Sequence, residues 1–202
     1  MINHNQKYIF FHINKTGGTS VEHALGYTKK TANLWQGKHH TFKWYKRAAR
    51  KKIGFENYFK FTVVRNPWDR FLSLYKYRVK RGHPSFRRGV IPFKKWGKKI
   101  YNGCPNFCKG FTLREPKLYV KPQLNWITDA NGNMVVDFIC RFENFQEDFN
   151  AVCNKIGIPE RTLPHVNKSK HKHYTEYYDD ETREIVAEKY KKDIEYFGYE
   201  FG

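Results

Sequence analysis

The chain has 202 residues, with 38 Lys and Arg against 19 Asp and Glu, a formal charge of +19. An apolar content of 40% and a large aromatic set (17 Phe, 14 Tyr, 5 Trp) exclude a disordered chain of low hydrophobicity. No apolar run approaches the roughly 18–20 residues that cross a bilayer, and no charged-then-apolar leader opens the sequence, so neither a membrane-spanning nor a signal-directed protein is expected. The charge is unevenly placed. Residues 1–121 hold 28 Lys and Arg and 4 Asp and Glu, a net of +24, whereas residues 122–202 hold 10 and 15, a net of −5. Such a field implies an anionic partner: nucleic acid, an acidic membrane, a polyanionic glycan or a phosphorylated cofactor.

In chain order, Lys7–Ile13 (KYIFFHI) is an apolar, β-rich run that predicts a buried strand. It enters Asn14–Ser20 (NKTGGTS), and a short helix is expected from about Thr19 to Gly26. Thr41 is placed to cap a second helix, with Phe42, Tyr45, Ala49 and Ile53 on one face and Lys43–Lys51 basic on the other. Tyr58–Val64 (YFKFTVV) predicts a second buried strand that ends at Arg65-Asn66-Pro67. Asp69 is the expected N-cap of a helix running through about Arg78.

Residues 82–125 are basic and punctuated by Gly and Pro, and are expected to be an irregular insertion with function or hidden short helices. Asn131-Gly132 signals a turn before the strand-like Met134–Cys140. A helix over Glu143–Ile156 should close at Gly157, and a last helix should run from Asp180 to Tyr196, ending near Gly198. The aromatic series from Tyr174 to Phe201 is expected to pack this last helix and the tail against the sheet. Strands alternating with helices predict an α/β fold, a single domain over residues 1–202 with a central, mainly parallel sheet flanked by helices.

Cysteine is uninformative by comparison. Cys104 and Cys108 form one C-x3-C pair, while Cys140 and Cys153 are singles on apolar segments. Tetrahedral zinc usually takes two tight pairs, so reduced, mostly buried thiols are expected, with a Cys104–Cys108 disulfide left open.

The chemistry concentrates in two segments. In Lys15-Thr16-Gly17-Gly18-Thr19-Ser20, glycines let backbone N–H groups converge on a phosphate at a helix start, hydroxyls can donate to it and Lys15 can neutralise it. This is not a Walker A loop, because Lys15 precedes both glycines and only Thr16 separates it from them. The second strand ends on Arg65 instead of a metal-binding Asp, which removes the second part of a magnesium NTPase. In Val64–Arg70 with Ser73, an Arg fork and a hydroxyl in the first turn of a helix suit a second phosphate.

Together the two segments resemble the phosphate signatures of sulfotransferases that use 3′-phosphoadenosine 5′-phosphosulfate (PAPS), closest to the carbohydrate and heparan sulfate 2-O-sulfotransferases. The likeness extends through Asp137–Glu143, Leu163–Ser169 and Tyr177–Phe201, with Asn14 standing where that family often has Pro. The resemblance implies a P-loop-like fold and a 5′-phosphate site at Lys15, Thr16, Gly17, Gly18, Thr19 and Ser20. It also implies a 3′-phosphate site at Arg65 and Ser73, with Lys168 or Ser169 closing over the nucleotide. A general base falls on His40, with His39 as the competing choice, and Lys15 stabilises charge on the leaving oxygen.

The implied reaction moves a sulfuryl group from PAPS to a hydroxyl acceptor, an anionic glycan by the charge argument, releasing 3′-phosphoadenosine 5′-phosphate (PAP) without a metal. Nucleic acid is disfavoured as partner. The alternatives are a P-loop kinase or NTPase, and a non-catalytic binder of polyanions or nucleic acid. Relatives in the Golgi carry a membrane anchor, so a soluble cytoplasmic enzyme of a bacterium or a virus-infected cell is the expected setting.

Overall fold

The computed structural model describes residues 1–27, 57–82, 89–101, 120–164 and 172–202. The chain divides into two compact units, Met1–Arg65 with Gln123–Lys168, and Asn66–Pro122 with Ser169–Gly202. Among the described residues no helix is long and apolar enough to cross a membrane.

The first unit is a mixed, mostly parallel four-stranded sheet flanked by helices. Strands β1 (Ile2–Asn3), β2 (Tyr8–Phe11), β3 (Phe59–Val64) and β4 (Phe138–Arg141) lie in that spatial order. β1 runs antiparallel to β2, whereas β2–β3 and β3–β4 are parallel, with Tyr8 opposite Phe59 and Phe61 opposite Phe138. All four residues of β2 are buried, as a continuous apolar run in a parallel sheet requires. On one face Tyr8, Phe10, Phe61, Val63 and Cys140 form a core with Val21 of α1 (Gly18–Ala24) and with Phe149, Val152 and Cys153 of a later helix. Inside the sheet, the buried Thr62 hydroxyl donates to the Phe11 carbonyl at 2.8 Å, so the one polar residue in the centre of β3 is satisfied.

The expected strand Met134–Cys140 is shorter than its composition predicts. Its first residues are taken by the Asn131-Gly132 turn: Met134 bridges back to Thr128, and the Val135 N–H donates to the Ile127 carbonyl. Asp137 then docks onto β3 through both N–H and carboxylate, and β4 begins after it. The following helix is preceded by a 3-10 turn over Phe142–Asn144, and its regular part is Phe145–Ile156, closed at Gly157 as expected.

In the second unit, α2 (Pro67–Lys80) packs with α3 (Phe93–Tyr101), α6 (Asp180–Lys189) and α7 (Lys191–Phe197). The helices α4 (Leu124–Ile127) and α5 (Phe145–Ile156) belong to the first unit. α3 is a short helix hidden in the basic stretch 82–125, whose residues 83–88 and 102–119 lie outside the described set. α2 corrects one expectation: its cap is Asn66, not Asp69. The Asn66 side chain accepts the Trp68 N–H at 3.1 Å and Pro67 opens the helix, where its fixed φ and missing donor are harmless. Ser73 is therefore in the second turn, beyond the reach of the helix-end charge.

The single last helix is also corrected. Tyr190 leaves helical geometry (φ −111°, ψ 19°), which puts its ring in the core against Phe71 and its hydroxyl 3.2 Å from the Val120 carbonyl. The terminal aromatics pack on α2 rather than on the sheet: Tyr174, Tyr178 and Phe201 surround Trp68, and Tyr178 Oη donates to the Trp68 carbonyl at 2.7 Å.

Candidate functional site

β2 ends at Phe11 and the chain turns between Asn14 and Gly17 before entering α1. Two left-handed residues, one on each side of Thr16, shape this loop. Lys15 holds φ 67° and Gly17 φ 85°, so a non-glycine residue sits in the left-handed region at the lysine. The Thr16 hydroxyl donates to the Ile13 carbonyl at 3.0 Å and is fully buried, which makes it a staple of the loop. Lys15, Gly17, Thr19 and Ser20 remain half-buried on the accessible side, while Asn14, Thr16 and Gly18 are buried.

Beneath the loop lies a pair that sequence patterning did not single out. His12 Nδ1 is 2.7 Å from Glu22 Oε1, and both residues are buried. The His12 ring lies directly against Gly18: a Cβ built there would overlap His12 Cδ2 and come within 2.5 Å of Nε2. Gly18 is thus required by the approach of a ring that Glu22 pins in place. Gly18→Ala is expected to destabilise the protein by about 1–3 kcal/mol through overpacking. Urea denaturation checks this, and an unchanged midpoint would show that the ring moves aside at no cost. Gly17 is required for a second reason, since its positive φ is combined with Phe145 Cε1 only 2.7 Å from where a Cβ would stand.

Arg65 follows the last residue of β3. Its guanidinium carbon lies 4.0 Å over the Phe142 ring, and Nη1 donates to the Lys15 carbonyl at 3.2 Å. Its backbone is held on both sides by the buried Gln123, whose Oε1 accepts the Arg65 N–H and whose Nε2 donates to the Arg65 carbonyl, each at 2.9 Å. Burial, and then the nearby Arg65 charge, lower the Lys15 pKa from 10.5 to about 8. The Arg65 charge thus disfavours a charged Lys15, and an anion beside the two cations would relieve that repulsion.

The parallel pairing of β2 with β3 thus brings together Lys15, Thr16, Gly17, Gly18, Thr19 and Ser20 with Arg65, all in the first unit. Ser73 is half-buried on α2, in the second unit. His39, His40, Lys168 and Ser169 lie outside the described residues, as do the Thr41-capped helix, Cys104 and Cys108. Cys140 and Cys153 are free, buried thiols, and burial pushes both upward in pKa. Among the described residues, no group of three His, Cys, Asp or Glu is placed to hold a metal ion.

Residues 1–200 match the model of the sulfotransferase family. The chain belongs to that family. It is accordingly a sulfotransferase, an enzyme that transfers a sulfuryl group to a hydroxyl-bearing acceptor. It is similar to a protein of Archaeoglobus fulgidus described only as uncharacterized, with 32% identity over 130 residues that make up 62% of this chain and 92% of that one. A crystal structure of a sulfotransferase from Alicyclobacillus acidocaldarius is similar over 96% of each chain, with 14% identity and a TM-score of 0.46. In this sulfotransferase the missed residues are His12, Glu22, Gln123, Phe142 and Phe145. The signal for His12 and Glu22 was a histidine closing an apolar strand and a carboxylate beside the buried Val21 of the next helix. Nothing local marks Gln123.

Proposed function

We propose that this sulfotransferase uses PAPS as donor and sulfates a hydroxyl of a carbohydrate, an anionic glycan, without a metal ion. The observation that carries the donor assignment is the pairing of Lys15 and Arg65 across 50 residues of chain at the end of two parallel strands. Ligands of α/β sheets bind outside the carboxyl ends of the strands, where Arg65 and the Lys15 loop stand. The positive-φ loop and the two cations fit a nucleotide carrying separate phosphates.

Bound PAPS supplies the activated sulfuryl group, and PAP is its product. The chain's own residues do the rest. Lys15 neutralises the oxygen that gains charge as the sulfuryl group departs, and the loop N–H groups with Thr19 and Ser20 hold the 5′-phosphate. Arg65 takes the 3′-phosphate with its fork of donors. His40, with His39 as the competing residue, accepts the proton of the acceptor hydroxyl.

For the acceptor, exposed Lys80, Arg81, Lys94 and Lys95 in the second unit support an anionic chain, although Lys94 is 3.4 Å from Asp179. The test is transfer of labelled sulfate from PAPS to a panel of glycans, lipids and peptides, run with and without EDTA. Labelled glycan in both conditions is expected. Label confined to peptides or lipids would replace the acceptor, and loss of transfer with EDTA would overturn the metal-free reaction.

A further inference from the structure

Resting on the assignment of Arg65 to the 3′-phosphate, we infer that Gln123 is the positioning residue that sets Arg65 for that contact. At Arg65 the sheet has run out. β2 pairs with β3 as far as Thr62, and β4 pairs with it as far as Val64. Arg65 is nevertheless only 9% exposed, so its peptide N–H and C=O need partners within the protein.

The side chain of Gln123 meets both needs. One planar amide faces the donor and the acceptor of one residue, at 2.9 Å each, and so stands in for a further residue of a neighbouring strand. Gln123 is itself fully buried and immediately precedes α4, which anchors its backbone. The peptide it holds is the base from which the Arg65 side chain crosses the Phe142 ring and reaches the Lys15 carbonyl. A small rotation at that base is amplified along the length of the arginine and carries the guanidinium away from its place.

The residue type matters as much as the position. A glutamate there would keep the acceptor but set a carboxylate oxygen against the Arg65 carbonyl. An asparagine is one methylene too short to span both groups. A methionine keeps the volume and offers neither hydrogen bond. On this assignment Gln123 acts through the Arg65 backbone and not by contact with either substrate.

PAP and adenosine 5′-monophosphate (AMP) differ only in the 3′-phosphate, so the ratio of their affinities isolates that contact. Calorimetric titration of both nucleotides is to be made on the unmodified protein, Gln123→Met, Gln123→Glu, Arg65→Ala and the Gln123→Met/Arg65→Ala double variant, with melts of each nucleotide-free protein. Gln123→Met is expected to cut the preference for PAP over AMP roughly tenfold while AMP affinity changes little, as expected for a misaligned charge-assisted contact. In the Arg65→Ala background the same change should have no further effect on the preference. Should Gln123→Met melt too low to titrate, Gln123→Glu carries the same comparison.

Equal losses for PAP and AMP, or additive losses of preference in the double variant, would overturn the link from Gln123 to Arg65 and leave the reading of Arg65 standing. A preference untouched by Arg65→Ala would overturn that reading and this inference together, so the two failures are distinguishable.

Discussion

Replacing His40 by alanine is expected to lower kcat by about 10²–10⁴-fold while PAP binds as before. An acceptor hydroxyl is a poor nucleophile until its proton is taken, and a positioned imidazole takes it as the oxygen–sulfur bond forms. On the proposed assignment the imidazole does not hold the nucleotide phosphates, so binding is expected to be spared. The His39→Ala variant, made alongside, is expected to keep turnover. The reverse outcome would move the base to His39, and full turnover in both variants would place it outside Gly37–Thr41 altogether. Steady-state transfer to an active acceptor, paired with PAP titration, separates these results. The acid limb of the pH profile of kcat/KM should also disappear in the variant that lacks the base.

Lys15→Met is expected to cost about 10²–10³-fold in kcat, the scale of removing one preorganised charge from a developing anion. The same lysine makes a pH prediction whose sign can be worked out. Burial and Arg65 lower its pKa to about 8, whereas in the unfolded chain it returns to 10.5. Phosphate favours the charged ammonium, so PAP affinity should be flat below pH 8 and fall above it by up to about tenfold per pH unit. Stability of the nucleotide-free protein responds in the opposite direction. Between pH 8 and 10.5 the unfolded chain binds more protons at this site, so the contribution of Lys15 to folding becomes more favourable as pH rises through that window. Lys15→Met should abolish both slopes, and titration and chemical denaturation across that range check them. A PAP affinity that stays flat past pH 9 would remove Lys15 from the phosphate site.

The strands Tyr8–Phe11 and Phe59–Val64 and the helix Gly18–Ala24 were legible because burial of a parallel sheet writes continuous apolar runs, and Gly and Pro punctuate them. The signal for the Asn66 cap was legible too, since Asn before Pro marks a helix start, but it was missed because the acidic Asp69 drew the expected cap inward by three residues. The break at Tyr190 was not. Its helical periodicity is unbroken, and the bend exists only because the ring fits beside Phe71 and the hydroxyl finds Val120. In the same way, the aromatic tail was read as sheet-facing because an apolar stripe announces that it is buried without saying against what.

The +19 charge and the segments Lys15–Ser20 and Val64–Arg70 were determined by the sequence, because charge count, glycine spacing and the order of strand, loop and helix are local properties. That Lys15 and Arg65 meet was decided by tertiary structure. Their meeting depends on the register of β2 against β3, which is set by packing over both faces of the sheet and is encoded by no local pattern. The same is true of Gln123, which is 58 residues from Arg65 and becomes its backbone partner only because α4 returns to the end of β3, where a buried peptide would otherwise lack the pairing that a strand supplies.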